Sequence, residues 1–258
     1  MKGVRPIQTD FKETSYGIVK RLNVIEEWLA QFDRPLRILD FGCGTGEQIT
    51  FPLAQAGHTV IGLDVHPPSI EEARRRYSLP NLEFRVATID DLQKEQGLFD
   101  VIVCSEVIEH LHEPGILLSS LHRLLREDGR LIVTTPNGRG PYEILSSLEK
   151  RLSRNRAYQV ARRVAHGENV PRGEDAGFLN WDSQHVQFFR LSDLERLFLS
   201  AKFRVVERRP RTFLCGPYVD LMFRWMPFRQ SAIRLNANVA DALPMQFAAD
   251  WMFFLKKM

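Results

Sequence analysis

One stretch decides the fold of this chain: Ile38-Leu39-Asp40-Phe41-Gly42-Cys43-Gly44-Thr45-Gly46. Its apolar beginning predicts a buried strand, and its alternating glycines predict a tight turn that lets the backbone approach a ligand closely. We expect a helix after the turn, with its unpaired N–H groups directed at the same ligand. A second apolar strand, at 60–64, ends in Asp64, at roughly the twenty-residue offset of a carboxylate that binds ribose hydroxyls.

Strand and helix patterns alternate along the rest of the chain, as a parallel sheet requires. The pattern predicts an α/β fold with a doubly wound, seven-stranded, mostly parallel, Rossmann-like sheet and helical insertions. Ligands of such sheets bind outside the carboxyl ends of the strands. The predicted strands lie at 37–41, 60–64, 82–87, 99–105, 130–135, 203–208 and 251–256.

Start and stop signals for helices lie between these strands. A helix is expected near 14–32, and capping-box patterns at 69–72 and 192–195 predict helices that run through residues 77 and 201. Pro114 is expected to begin a helix that Gly129 ends. The predicted apolar face of that helix consists of Ile116, Leu117, Leu121, Leu124 and Leu125.

The 258 residues suit a single domain spanning 1–258, with N-terminal helices at 1–33 and two insertions. The first insertion, 137–183, is basic, which fits a solvated helix or a surface for an anionic acceptor or membrane. The second, 211–248, is apolar, which fits a packed lid, a pocket for an apolar acceptor or a dimer face. Its large apolar residues are Phe213, Leu214, Tyr218, Leu221, Met222, Phe223, Trp225, Met226 and Phe228.

Composition excludes several classes of protein. Hydrophobic residues make up 44% of the chain, enough for a core, and the net charge of +3 is too small to argue for nucleic acid. There is no run of about twenty apolar residues that would span a membrane. Isolated Cys43, Cys104 and Cys215, without CxxC spacing, and an N-terminus without an apolar signal core predict a cytoplasmic protein without a thiolate zinc site.

The pattern "LDFGCGTG…IGLD" resembles the class I S-adenosylmethionine-dependent methyltransferases. Its glycines fall as GxGxG behind an aspartate, which differs from the GxGxxG of a NAD enzyme. The resemblance implies that Asp40 lies near the methionine amino group and that Asp64 binds the ribose. The alternatives are a NAD enzyme or a doubly wound domain whose glycine turn serves packing only.

The resemblance also implies a binding site for S-adenosylmethionine along the carboxyl ends of the strands. The family places an acid that binds the adenine amino group after the third strand, where this chain has Thr88, so that Asp90 or Asp91 would substitute for it. The expected cofactor-binding residues are Asp40, Gly42, Cys43, Gly44, Gly46, Asp64, Val65, Thr88, Ile89, Asp90 and Ser105.

The fourth strand is followed by the sequence "EVIEH", which contains Glu106, Glu109 and His110. If a helical turn starts here, these residues lie at i, i+3 and i+4 and share one face. The segment resembles the ubiquinone-biosynthesis O-methyltransferases, in the methyltransferase type 11 group, and the small-RNA 2′-O-methyltransferases. In the RNA branch two acids, a histidine and a later histidine bind a divalent metal, and His185 is available here as the later histidine.

Three roles are open for this segment. A metal bound by Glu106, Glu109, His110 and His185 would hold an acceptor hydroxyl and lower its pKa. Alternatively His110 or His185 acts as general base, oriented by Glu109. In the third case the side chains only cap the backbone and contact the cofactor.

These patterns together predict a methyltransferase that transfers a methyl group in line to a hydroxyl of a small or lipid-linked compound, with peripheral membrane contact as an option. Nucleic acid is not the expected partner, since no RNA-binding module is recognisable. The alternatives are an RNA 2′-O-methyltransferase, a saccharide or secondary-metabolite methyltransferase, and a regulatory subunit that binds the cofactor without catalysis. The sequence leaves the oligomeric state open.

Overall fold

The structure, a computed structural model, describes residues 16–93, 98–140, 186–214 and 228–258. These ranges contain seven strands: β1 Arg37–Phe41, β2 Thr59–Asp64, β3 Leu82–Val86, β4 Phe99–Ser105, β5 Leu125–Pro136, β6 Phe203–Pro210 and β7 Asp250–Lys257. They contain six α-helices: α1 Tyr16–Leu29, α2 Thr50–Gln55, α3 Pro67–Arg76, α4 Pro114–Leu124, α5 Leu191–Ser200 and α6 Arg229–Ala242. Short 3-10 turns lie at Asp90–Gln93, Ile108–His110 and Met245–Phe247.

The strands form one sheet in the order β3-β2-β1-β4-β5-β7-β6. The first five are parallel, and β7 runs antiparallel to both β5 and β6. The predicted fold class is confirmed. The strand order reverses between β1 and β4, so a crevice opens there at the carboxyl ends of the strands, and this crevice carries the candidate site.

Two hydrophobic layers sandwich the sheet because successive side chains of a strand point to opposite faces. In β1, Ile38 packs into one layer with Trp28 of α1, and Leu39 packs into the other with Leu121 of α4. Every residue of β4 is buried, as expected for a central parallel strand covered on both faces.

Both predicted capping boxes are wrong. Helix α3 begins at Pro67, and the Ser69 hydroxyl lies 2.8 Å from Nδ1 of His66 instead of capping the helix. Prolines in the first turn need no cap for the N–H groups that they lack. Helix α5 begins at Leu191, where the Asp193 carboxylate accepts a hydrogen bond from the backbone N–H of Arg190 at 3.3 Å. Ser192 and Glu195 therefore lie inside the helix.

The helix at Pro114 ends at Leu124, earlier than predicted, and Gly129 lies within β5 instead of ending the helix. Leu125 already pairs with Phe99 of β4, so strand pairing ends the helix. The predicted apolar face is also shifted: Leu118 is buried, whereas Ile116 is exposed and faces a pocket at the carboxyl edge.

Only parts of the predicted insertions fall within the described residues. For 137–183, the described part is 137–140. The arginines on which its basic character was predicted lie outside the described residues: Arg151, Arg154, Arg156, Arg162, Arg163 and Arg172. For 211–248, the described part includes α6, which packs on α1 through Lys20: its Nζ donates hydrogen bonds to Asp241 Oδ1 at 2.7 Å and to the Ala237 carbonyl at 3.1 Å. None of the helices within the described ranges combines the length and apolar character that crossing a membrane needs.

We expect Leu255→Ala to lower the free energy of unfolding by about 2–5 kcal/mol, because it leaves a cavity in the hydrophobic layer that also contains Leu131 and Phe253. Leu255 of β7 is fully buried and pairs with Leu131 of β5 and Val205 of β6. The matched control is Leu199→Ala, at a position 61% exposed on α5, which should change the value by less than about 0.5 kcal/mol. Equilibrium urea unfolding measures both, and equal losses would contradict the assigned core.

Candidate functional site

In the glycine turn after β1, neighbouring side chains pack so closely that two of the three glycines have no room for a side chain. Gly42, Gly44 and Gly46 have φ values of 78°, 54° and 73°, in the region that favours glycine. A Cβ at Gly42 would lie 2.3 Å from Cγ2 of Val107, and one at Gly46 would lie 2.4 Å from the Phe84 ring. A Cβ at Gly44 would meet nothing within 4 Å, so the middle glycine is the one that faces free space for a ligand.

Asp64, at the end of β2, is fixed beside this turn. Its Oδ2 accepts a hydrogen bond from the backbone N–H of Gly44 at 2.7 Å, and its Oδ1 accepts one from the backbone N–H of His66 at 2.9 Å. The backbone N–H groups of Gly42 and Cys43 both donate to the Leu63 carbonyl. The predicted turn and the predicted acid therefore lie together, with the carboxylate oriented before any ligand binds.

Asp40 lies beneath the turn and is 2% exposed. Burial raises the pKa of Asp40 to about 6, although a 2.6 Å hydrogen bond from the Thr50 hydroxyl and the nearby charge of Arg21 lower it. A buried carboxylate of this kind is stabilised by a cation that comes close to it.

Arg21 is a site residue that the sequence reasoning missed. This buried guanidinium donates from Nη1 to the Ser105 hydroxyl at 2.9 Å and from Nη2 to the Gln48 side chain. Burial lowers the pKa of Arg21 to about 10, and within the described chain its Nε has no hydrogen-bond partner. The available signal was an arginine four residues before Ile25 and seven before Trp28, on the apolar stripe of α1.

A pocket of about 570 Å³ lies beyond Asp64, at the carboxyl ends of β2 and β3. It brings together four predicted cofactor-binding residues, Val65, Thr88, Ile89 and Asp90, and four that were not predicted, Leu111, His112, Glu113 and Ile116. Asp91 is engaged by the loop itself, since its Oδ2 accepts hydrogen bonds from the hydroxyl and the N–H of Thr88 at 2.8 and 3.0 Å. Of the two acids predicted to substitute after β3, Asp90 is therefore the one that lines the pocket, where Glu113 is a further acid.

The sequence EVIEH, residues 106–110, contains Glu106, Glu109 and His110 and is called the acid–histidine segment below. Its local structure differs from the predicted helical turn. The 3-10 turn starts at Ile108, and Glu106 stands before it with a φ of 56°, so Glu106 does not share a helical face with Glu109 and His110. That prediction is wrong because the chain bends sharply where β4 ends.

The two glutamates are anchored to neighbouring residues of β5. Oε1 of Glu106 accepts a 2.6 Å hydrogen bond from the Thr134 hydroxyl, whereas Oε2 of Glu109 accepts a 3.2 Å bond from Thr135. Glu109 is 1% exposed, and its Oε1 lies 3.9 Å from Nε2 of His110. Burial, and next the charge of Glu106, raise the pKa of Glu109 well above its usual range.

His185 lies outside the described residues. The next residues are tied to the acid–histidine segment, since the N–H groups of Val186 and Gln187 both donate to the Glu109 carbonyl, at 2.9 and 3.0 Å. Within the described ranges, no three His, Cys, Asp or Glu side chains are grouped closely enough to hold a metal ion. The geometry of Glu106, Glu109 and His110 therefore gives the predicted metal set no support.

The chain matches the family described as methyltransferase domain over residues 17–208. Among curated proteins, it is 38% identical over 130 residues to a ubiquinone biosynthesis O-methyltransferase of Caulobacter sp. (strain K31), covering 45% of this chain and 51% of that protein. A protein of the same name from Cereibacter sphaeroides is 35% identical over 129 residues, covering 45% and 52%. The chain spans about half the length of these curated relatives.

Solved structures show the same fold at low identity. The magnesium protoporphyrin IX methyltransferase from Synechocystis PCC 6803 with bound SAH has a TM-score of 0.56 at 17% identity, covering 94% of this chain and 84% of that one. A SAM dependent methyltransferase from Archaeoglobus fulgidus has a TM-score of 0.56 at 16% identity, covering 94% and 95%.

The family match extends over most of the chain. It agrees with the sheet order and with the two acids near the carboxyl ends of β1 and β2, Asp40 and Asp64. The chain therefore belongs to the methyltransferase domain family, and the predicted resemblance to the class I S-adenosylmethionine-dependent methyltransferases is confirmed.

Proposed function

We propose that this chain transfers the methyl group of S-adenosylmethionine to a hydroxyl oxygen of a small or lipid-linked compound. The observation that carries the proposal is one continuous edge of polar groups at the carboxyl ends of β2, β1 and β4. Asp64 and Asp40 lie on its cofactor side, and His110, backed by Glu109, lies on its acceptor side.

The described residues fit the methyl donor group by group. We assign Asp64 to the ribose and the pocket to the adenine, since Val65 and Ile89 offer it apolar walls and Asp90 and Glu113 offer it acids. The open space over Gly44 leaves room for the donor, and Asp40 and Arg21 present opposite charges to the ammonium and the carboxylate of its methionine part. When bound, the donor supplies a methyl group already activated by a positive sulfur.

The chain's own residues then need only align the acceptor, exclude water and take up a proton. We assign the proton to His110, a partly exposed side chain that follows the carboxyl end of β4. The acceptor oxygen forms its bond to the methyl carbon while the carbon–sulfur bond breaks, the electron pair stays on sulfur, and the hydroxyl proton passes to the imidazole. Burial raises the pKa of Glu109 and favours its protonated form, and its Oε1 lies 3.9 Å from the imidazole without a hydrogen-bond partner among the described residues, so we assign it the orientation of the ring.

The acceptor class rests on the names of the curated relatives and on the composition of the two insertions. Both relatives are ubiquinone biosynthesis O-methyltransferases, which supports a hydroxyl acceptor. A basic insertion at 137–183 beside an apolar one at 211–248 favours an acceptor with an apolar part and an anionic part. A divalent metal at Glu106, Glu109, His110 and His185 is the alternative way to activate the hydroxyl.

We expect the chain to transfer radiolabelled methyl from S-adenosylmethionine into the organic-soluble or small polar fraction of a cell extract. Heat-inactivated protein serves as the blank. Label in the RNA fraction alone would reject the proposed acceptor in favour of ribose 2′-O-methylation, and loss of transfer on adding a chelator would support the metal alternative.

The raised pKa of Asp40 predicts that the affinity for the cofactor depends on pH. Since its pKa in the free protein is about 6 and a bound ammonium favours the charged form, binding releases a proton below that pH. Affinity for S-adenosylhomocysteine should therefore fall by up to tenfold per pH unit below about 6 and level off above it. Calorimetry from pH 5 to 8 in two buffers measures the affinity and the proton release.

Asp40→Asn should bind S-adenosylhomocysteine more weakly and lose the pH dependence. The control variant Asp90→Asn should keep the pH dependence. An affinity of the wild-type chain that does not change with pH would contradict the role assigned to Asp40.

His110→Gln should lower kcat by about 10²–10⁴-fold, because the hydroxyl proton loses its acceptor, while the affinity for S-adenosylhomocysteine changes little. The control is His122→Gln: His122 lies in the last turn of α4 against the Phe203 ring, away from the site, and its loss should leave kcat within about twofold. Steady-state transfer into the labelled fraction measures both. An unchanged rate in His110→Gln would remove this residue from the chemistry and leave His185 as the candidate base.

A further inference from the structure

Arg211 stands where β6 ends and the second insertion begins. Its guanidinium donates a hydrogen bond from Nε to Oδ2 of Asp250 at 3.1 Å, and its Nη2 lies 3.0 Å from Oδ1 in an ion pair. The backbone N–H of Arg211 also donates to the Asp250 carbonyl at 3.1 Å. A paired geometry of this kind fixes a guanidinium in orientation as well as in position.

The partner carboxylate is itself held rigidly. Asp250 is buried at the start of β7, where its Oδ2 also accepts a 3.0 Å hydrogen bond from the Thr212 hydroxyl. Arg211 is 13% exposed, so its charge is largely withdrawn from water but still borders the site. The cation is therefore preorganised, and its position does not depend on a ligand.

The third nitrogen of this guanidinium faces the acid–histidine segment. Nη1 of Arg211 lies 3.6 Å from Oε1 of Glu106. The same charge reaches Glu109, where it acts to lower a pKa that burial and Glu106 raise. A positive charge fixed to the chain thus lies beside Glu106 and also acts on Glu109, and both acids were predicted as ligands of a metal ion.

We propose that Arg211 takes the place of a divalent metal on the acceptor side and stabilises the negative charge that develops on the acceptor oxygen. The inference rests on the proposed O-methylation. His110 takes the hydroxyl proton, the oxygen forms its bond to the methyl carbon, the carbon–sulfur bond breaks toward sulfur, and Arg211 stays protonated throughout. Glu106 and Asp250 hold the guanidinium from two sides, so that its charge is already in place where the acceptor oxygen becomes negative.

The first test needs no acceptor and uses Mn²⁺ alone with the full chain. We expect electron paramagnetic resonance titration to find no saturable site at concentrations up to about 1 mM, because Glu106 already faces a guanidinium. One equivalent of Mn²⁺ bound by the wild-type chain and lost in Glu106→Gln would overturn the proposal. Since this readout is independent of transfer, it separates failure of this inference from failure of the proposed function.

The second test uses the extract fraction that the wild-type chain labels, with and without EDTA. We expect transfer to be unaffected by EDTA, and Arg211→Gln to lower kcat by about 10²–10³-fold with the affinity for S-adenosylhomocysteine within about threefold. Arg211→Lys keeps the charge and should recover at least part of the rate. The control variant is Arg209→Gln, two residues before Arg211 in the chain. It removes an exposed ion pair with Glu27 and should leave kcat within about twofold.

The pH profile distinguishes a cation that acts on the acceptor from one that only supports the fold. Loss of the charge should move the rising limb of kcat against pH upward by about one unit in Arg211→Gln, since the acceptor hydroxyl becomes harder to ionise. Arg211→Gln/Asp250→Asn removes the ion pair without leaving an uncompensated carboxylate at Asp250, and should show the same shift in a folded protein. An unchanged kcat and profile in both variants, or EDTA-sensitive wild-type transfer restored by Mg²⁺, would reject the proposal.

Discussion

The absence of side chains at Gly42 and Gly46 is the constraint on which both halves of the site depend. The space at Gly46 is filled by Phe84 of β3, on the cofactor side, and the space at Gly42 is filled by Val107, the residue after Glu106. One turn therefore sets the distance from Asp64 to the acid–histidine segment. A methyl group between a donor and an acceptor requires such a fixed distance, because transfer depends on near-contact alignment.

Buried charge is distributed unequally between the two ends of the sheet. At the amino end of β4, burial would raise the pKa of Asp100, but hydrogen bonds from the Arg34 side chain and the Arg37 backbone outweigh it and the pKa is lowered. At the carboxyl end, burial dominates and the pKa values of Asp40 and Glu109 are raised. Ion pairing and hydrogen bonds thus set the pKa at the amino end, whereas burial sets those of Asp40 and Glu109, and perturbed pKa values of this kind cluster at functional sites.

The sheet was predictable from sequence because each strand carries its own pattern. A continuous apolar run marks β4, and glycines and acids at fixed offsets mark the ends of β1 and β2. The sequence signals for helix caps and helix ends were less reliable. The Ser69 hydroxyl forms a hydrogen bond with His66 instead of capping the helix, and Gly129 lies within β5 instead of ending α4. These local preferences were overridden by proline at the start of one helix and by strand pairing at the end of another. Arg211 carried no such local pattern, and the signal for Arg21 was its place on the apolar stripe of α1; the two arginines are far apart in sequence and come together only through the fold. The spacing of Glu106, Glu109 and His110 was predicted to place them on one face of a helical turn. The prediction was wrong because the backbone bends at Glu106, before the turn begins.

Adjacent residues of α1 connect two distant parts of the molecule. Lys20 reaches outward to the last turns of α6, while Arg21 reaches inward to Ser105 and Gln48. Because one peptide unit joins Lys20 to Arg21, the packing of α6 on α1 and the position of the guanidinium beside Ser105 are coupled. The second insertion is therefore connected to the carboxyl edge of the sheet through two neighbouring residues of α1.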